Sequence, residues 1–254
     1  MGLFAVSGSA SGIGAAVRKH LESGGHSVLG IDLRGAEIEA DLSVPTGRAA
    51  AVAALERMST GRLDGLVAAA GVGASHEPIE RIVAIDYFGC VALIEGARKL
   101  LVSSDGTGGS AVAVSSNTAL ALPDFGGPLE DVCLSGREKE ALADAAKLDG
   151  PRCYVSAKRA LIRWVRRQAP AWMQEGARLN VIAPGPVRTP LRERDRAHPI
   201  IGPNFDAFPQ PAGRPAEARE IAEAIGFLLG HPYCAGAVLC VDGGGDAVMR
   251  PDVS

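Results

Sequence analysis

The chain has 254 residues, 47% of them hydrophobic, and a formal net charge of −3. That length buries a sizeable core as one α/β domain, and the near-neutral balance gives no reason to expect nucleic acid or an anionic membrane surface as partner. The five cysteines (Cys90, Cys133, Cys153, Cys234, Cys240) form no C-x-x-C pair, which suits a reduced cytoplasmic thiol set better than a disulfide framework.

Short apolar runs alternate with helical patterns. Residues 3–6 read as a first buried strand, 12–24 as a helix ending at Gly24-Gly25, and 27–32 as a second strand. A further short strand ends at Asp41-Leu42, followed by a helix over 46–58 and a strand over 63–69 closed by Gly71. A helix is predicted across roughly 80–102, a strand over 111–115, and a helix over 155–173 with Leu161, Trp164, Val165 and Trp172 at helical spacing. The strand 178–182, the helix 216–229 and the strand 237–241 complete the order. Strict alternation predicts one parallel sheet covered on both faces, undivided by any repeat or linker. The apolar start lacks a basic n-region and breaks at Gly8, and no stretch approaches transmembrane length. A soluble cytoplasmic protein is expected.

Two segments interrupt this rhythm. Residues 123–150 hold Pro123, Gly126-Gly127-Pro128 and a charged helical stretch, and residues 186–215 hold seven prolines. The second begins at the C-terminal end of a strand, where open α/β sheets bind ligands. Leu191, Ile200, Ile201, Phe205 and Phe208 either line an apolar pocket beneath it or form the small core of a lid. The Arg-rich stretch 159–167 reads as a solvated helix face, and Pro170 as a kink near that helix's end.

Between the first strand and first helix lies Ser7-Gly8-Ser9-Ala10-Ser11-Gly12-Ile13-Gly14. Glycines there let the backbone turn sharply and approach a pyrophosphate at a helix N-terminus, although an ordinary tight turn uses the same residues. Asp32 ends the second strand, 18 positions after Gly14. A carboxylate there can accept from ribose hydroxyls and repels a 2′-phosphate, which favours NAD over NADP; the alternative is a simple turn aspartate. Arg34 complicates this, since a guanidinium attracts a 2′-phosphate. Asp41 could bond an adenine edge or cap the following helix. The five histidines lie far apart and no Cys/His spacing suggests zinc, so no metal site is expected.

Tyr154 and Lys158 stand four positions apart on the predicted helix, on one face. A neighbouring ammonium stabilises a phenolate, which suits proton transfer at a hydroxyl or carbonyl. The same spacing also occurs on solvated helix faces.

Taken together, the glycine loop, Asp32, Ala69-Ala70-Gly71, Ser115-Ser116, Tyr154/Lys158, the run from Pro184 to Thr189 and Val241-Asp242-Gly243-Gly244 resemble the short-chain dehydrogenase/reductase family over essentially the whole chain. The resemblance implies a doubly wound Rossmann fold, a nicotinamide cofactor, hydride transfer between an alcohol and a carbonyl, and a homo-oligomer (dimer or tetramer). Residue by residue, Tyr154 becomes the general acid/base, Lys158 binds the nicotinamide ribose and lowers the pKa of Tyr154, and Ser116 bonds the reacting oxygen. Ser115 points to the opposite face of its strand. Gly8, Ser11, Gly12, Ile13, Gly14, Asp32, Asp41, Leu42, Ala70, Gly71, Pro184 and Gly185 join the cofactor site, with Val187 and Thr189 on the carboxamide.

Two departures stand out. Alanine replaces the usual asparagine before Ala70-Gly71, and Asp86 aligns with the helix asparagine that completes the family's proton relay. Asp86 either substitutes through its backbone carbonyl or pairs with Lys158 and changes the pH optimum. The gap of 38 positions from Ser116 to Tyr154 is longer than in most of the family. It resembles the bacterial 3α-hydroxysteroid dehydrogenase/carbonyl reductase group, with coniferyl-type aryl alcohol dehydrogenases sharing the architecture. The insertion 123–150 is then either a cap over an apolar alcohol or ketone, also blocking helix packing in oligomers, or a tolerated surface excursion. A catalytically silent NAD-binding regulator is the competing function class.

Overall fold

A computed structural model describes residues 1–103, 108–122, 125–203 and 208–252. Buried apolar residues alternate between the two faces of each central strand, as a two-residue period requires. On β5 (Ser110–Val114), Ala111 and Ala113 enter one apolar layer while Val112 and Val114 enter the other. The first layer is closed by α2 (Pro45–Met58), α4 (Cys90–Leu101) and α8 (Gly150–Gln174), through Leu55, Leu93, Ile94, Leu161 and Trp172. The second is closed by α1 (Gly12–Ser23) and the helix Ala218–Gly230, through Val17, Leu21, Ile221, Ile225 and Leu228.

Among the described residues the main sheet has seven strands, all parallel, in the order β3-β2-β1-β4-β5-β6-β9. These are β1 (Leu3–Ser7), β2 (Ser27–Asp32), β3 (Ile38–Glu39), β4 (Gly65–Ala68), β5, β6 (Arg178–Pro184) and β9 (Val238–Val241). Two short strands, β7 (Val187–Arg188) and β8 (Ala216–Glu217), pair separately and frame the Pro-rich segment. The chain runs outward from β1 to β3, then restarts on β1's other side with β4. That reversal opens a crevice at the strands' C-terminal ends. This is the expected doubly wound, Rossmann-like α/β fold. No helix among the described residues is long and apolar enough to cross a membrane.

Several expectations shift. The helix expected over 80–102 is three pieces: α3 (Glu80–Val83), a π-helical turn Ala84–Gly89, and α4. The wider turn carries Asp86. Helix α8 starts at Gly150 rather than 155, because the Asp149 carboxylate accepts the Arg152 N–H at 2.9 Å and Pro151 suits the first turn. It continues through Pro170 to Gln174.

Most of the insertion packs beside the fold, and among its described residues Phe125 lines the cleft. Its helices α6 (Leu129–Leu134) and α7 (Glu138–Ala145) pack beside the fold, α6 against α8 and α7 against α3 and the π turn. Buried Glu130 sits between Arg159 at 3.0 Å and Arg163 at 2.7 Å, so part of the Arg-rich face is a docking surface rather than a solvated one. Buried Arg48 grips Glu138 at 2.8 Å while donating to the carbonyls of Leu42, Ser43 and Ala84. Pro123 and Asp124 lie outside the described residues.

Candidate active site

The crevice is a cleft of about 950 Å³, with the glycine loop, Asp32, Asp41 and Leu42 towards one end, Ser116 and Tyr154 towards the other, and Thr189 close to Gly12 of the loop. Gly8 adopts φ +69°, and its N–H donates to the Ile31 carbonyl at 2.8 Å, which turns the chain sharply off β1. A β-carbon on Gly14 would overlap the Gly8 carbonyl oxygen, so only glycine lets α1 start this close to the strand. The residue preceding α1, Ser11, makes no side-chain cap. The first-turn N–H groups therefore keep their hydrogen-bonding capacity for an anion in the cleft.

Asp32 braces this loop. Its Oδ2 accepts the Ala10 N–H at 3.0 Å and its Oδ1 the Leu33 N–H at 2.7 Å, while the residue still lines the cleft. Arg34 is exposed and is not among the cleft-lining residues. Asp41 does not cap α2, whose N-cap is Val44. Instead its Oδ1 accepts from the Ser43 N–H and hydroxyl, and its Oδ2 meets Arg81 at 2.9 Å. Ala70, Gly71, Pro184, Gly185 and Val187 also line the cleft. The Thr189 hydroxyl accepts the Arg192 N–H at 3.3 Å, capping helix α9 (Pro190–Ala197). Accepting that bond leaves the hydroxyl's own O–H able to donate.

At the other end, Ser116, Tyr154 and Lys158 converge. Ser115 turns away and donates to the Lys158 carbonyl at 2.8 Å, fixing β5 to α8. The Ser116 hydroxyl faces the cleft, 2.9 Å from the Thr118 hydroxyl. The Lys158 ammonium lies 5.8 Å from the centre of the Tyr154 ring, donates to the Val114 carbonyl at 3.1 Å, and pairs with Asp86 at 3.5 Å.

Burial pushes the Tyr154 phenol up, and the Lys158 charge and Ser116 hydrogen bond only partly offset it. Lys158 thus acts on Tyr154 in the lowering direction, within a net shift that burial sets upward. Burial alone would lower Lys158, but the Asp86 and Tyr154 charges outweigh it and leave Lys158 raised. Burial lifts Asp86 to about 6 against the pull of Lys158 and the Val72 N–H.

Leu191, Ile201 and Phe208 line the cleft, whereas Ile200 is 77% exposed; Phe205 lies outside the described residues. Leu122, Phe125, Pro151 and Val155 add apolar wall near Tyr154, and Phe125 is the insertion's contribution.

Besides these wall residues, sequence reasoning missed Asp195 of α9. It is buried and accepts from the Ala74 N–H at 3.1 Å, the Ser75 N–H at 3.0 Å and the Ser75 hydroxyl at 2.5 Å. A β-carbon on Gly73 would overlap its carboxylate. These bonds tie α9 to the loop after β4, both of which line the cleft. No local signal announces them, because Asp195 stands in a run of charged residues that reads as solvated.

Comparison with known proteins agrees with this geometry. The Enoyl-(Acyl carrier protein) reductase family profile matches residues 142–246. The chain is 40% identical to the 3-alpha-hydroxysteroid dehydrogenase/carbonyl reductase of Comamonas testosteroni, over 99% of both chains. It is 32% identical to the coniferyl-alcohol dehydrogenase of Pseudomonas sp. (strain HR199), over 94% of both. The crystal structure of the 3-alpha-hydroxysteroid dehydrogenase from Pseudomonas sp. B-0831 complexed with NADH superposes with a TM-score of 0.94 at 42% identity, covering 99% of this chain and 100% of that one. With full-length identity of this order on a matching fold and cleft, the chain belongs to the short-chain dehydrogenase/reductase family of oxidoreductases acting on CH–OH groups.

Proposed function

We propose that the protein interconverts a secondary alcohol and its ketone with NAD(H), on an apolar alicyclic substrate of the 3α-hydroxysteroid class. The observation that carries this is the convergence of Ser116, Tyr154 and Lys158 beneath an apolar wall, at one end of a cleft whose other end holds a glycine loop and Asp32. The uncapped start of α1 and the closely packed Gly8 and Gly14 fit a dinucleotide pyrophosphate. The Asp32 charge beside the loop suits a ribose diol and opposes a 2′-phosphate. Bound NAD supplies the hydride acceptor, and NADH the donor. The NADH in the Pseudomonas structure and the steroid named for both it and the Comamonas relative support the cofactor and the substrate class.

The protein's own residues handle the proton. In the oxidation direction Tyr154 takes the proton of the substrate hydroxyl, and Lys158 stabilises the phenolate that must form first. In the reduction direction the Tyr154 phenol gives its proton to the forming alkoxide. Ser116 donates a hydrogen bond to the same oxygen in both directions. Leu122, Val155, Ile201 and Phe208 exclude water and match an apolar ring system.

The test is NAD- and NADP-linked oxidation of 3α-hydroxysteroids, coniferyl alcohol and simple secondary alcohols, with Tyr154→Phe alongside. Turnover of the steroid with NAD, reduced by roughly 10²–10⁴-fold in Tyr154→Phe, is expected for loss of an acid–base group. Preference for coniferyl alcohol would move the substrate to aryl alcohols. NADP preference would remove the role given to Asp32, and full activity in Tyr154→Phe would remove the proposed chemistry.

A further inference from the structure

Lys158 is a buried ammonium with a buried carboxylate beside it. Asp86 is fully buried in the π turn. Its Oδ1 accepts the Val72 N–H at 2.8 Å. Its Oδ2 lies 3.5 Å from Lys158 Nζ and has no hydrogen-bond partner among the described residues. A β-carbon on cleft-lining Gly71 would sit 3.0 Å from Asp86 Oδ1 and 3.3 Å from Lys158 Nζ, so glycine brings the backbone down onto the pair. The other ionisable groups acting on the pair are Tyr154 on α8, Asp195 from the lid helix and Cys90 at the start of α4. Cys90 is a neutral thiol throughout the working range, its pKa pushed by burial to about 12.

We propose that Asp86 is a positioning residue for the reaction: its carboxylate holds the Lys158 ammonium at the base of the site, so turnover requires Asp86 to be ionised. The proposal rests on the alcohol/ketone reading above. Its physical ground is that a buried ammonium keeps its charge and place only with a compensating partner, and the Val114 carbonyl supplies no negative charge. Amide and carboxylate have nearly the same shape. Only the carboxylate makes the support dependent on pH.

Burial places the Asp86 transition near 6, within reach of ordinary assays. As pH falls through that value Asp86 takes up a proton, Lys158 loses its counter-charge, and the phenolate-stabilising geometry relaxes. The effect is cleanest in ketone reduction, where Tyr154 acts in its protonated form and contributes no acid limb. Stability runs in the opposite direction. A carboxyl whose folded pKa is raised contributes most below its unfolded value near 3.8, and that contribution is lost as pH rises through about 6.

The experiment compares wild type with Asp86→Asn and Asp86→Glu. The first readout is kcat/KM for ketone reduction between pH 5 and 9. The second is the pH dependence of Tm in the cofactor-free proteins. The wild type is expected to lose about tenfold in kcat/KM for each pH unit below about 6, as one protonation requires. Asp86→Asn, neutral like the protonated acid, should lack this limb and stay low across the range, and Asp86→Glu should keep a limb at a shifted pH. The Tm of Asp86→Asn relative to wild type should rise between pH 4 and 7. Superimposable profiles for wild type and Asp86→Asn in both readouts would overturn the proposal. If Asp86→Asn does not fold, titration of the Asp86 carboxyl ¹³C resonance in the wild type decides: a midpoint at the ordinary aspartate value overturns it. Absence of turnover on every alcohol and ketone would sink the functional reading instead, leaving the cofactor-free titrations to judge Asp86.

Discussion

Removing the Asp195 carboxylate should unfasten α9 from the loop after β4. In Asp195→Ala three bonds disappear, from the Ala74 N–H, the Ser75 N–H and the Ser75 hydroxyl. Hydrogen bonds to a charged group each contribute about 1.5–3 kcal/mol net. Opening lets water replace much of that, so a net loss of about 3 kcal/mol for the closed arrangement is a reasonable scale. At 1.4 kcal/mol per factor of ten, this is roughly a 100-fold shift towards the open cleft. Ligands that need the closed cleft bind more weakly by up to that factor, and they leave faster. The assay is NADH affinity and release rate by its fluorescence, alongside kcat and KM for the alcohol. KM and the NADH Kd should rise together, while kcat stays level or increases where product release limits it. Asp195→Asn keeps acceptor capacity without charge and should fall between the two. Binding, release and KM all within twofold of wild type in Asp195→Ala would refute the idea that these bonds hold the lid.

Two further perturbations address other parts of the fold. Arg48→Met should destabilise the protein by about 3–5 kcal/mol in chemical denaturation, because it strands Glu138 and the carbonyls of Leu42, Ser43 and Ala84 together. A change below about 1 kcal/mol would mean that water replaces the guanidinium easily. Phe125→Ala should raise the steroid KM several-fold while leaving NADH affinity unchanged, since Phe125 is the insertion's contribution to the apolar wall. An unchanged KM would place the substrate elsewhere in the cleft.

What could be read in advance follows from how local each feature is. Gly8, Gly12, Gly14 and Asp32 lie within one strand–helix–strand passage, so their spacing alone carries the geometry of a phosphate-binding turn, and the fold places them at the crevice. Tyr154 and Lys158 share one helix turn for the same reason. The lid bond is the opposite case. Asp195 meets Ser75 across 120 positions, and neither residue differs in type or setting from an ordinary surface group. The Arg159, Arg163 and Arg48 pairs are illegible on the same ground: alternating charge on a helix looks solvated until another segment covers it. Asp86 falls between these cases. Its residue type was legible as a departure, but its orientation depends on a π turn, and apolar spacing does not distinguish a π turn from continuous α-helix. The expected helix and the observed one bury the same apolar residues to similar effect. What the wider turn changes is where one carboxylate points, and that decides whether Lys158 has a titratable support or only a neutral one.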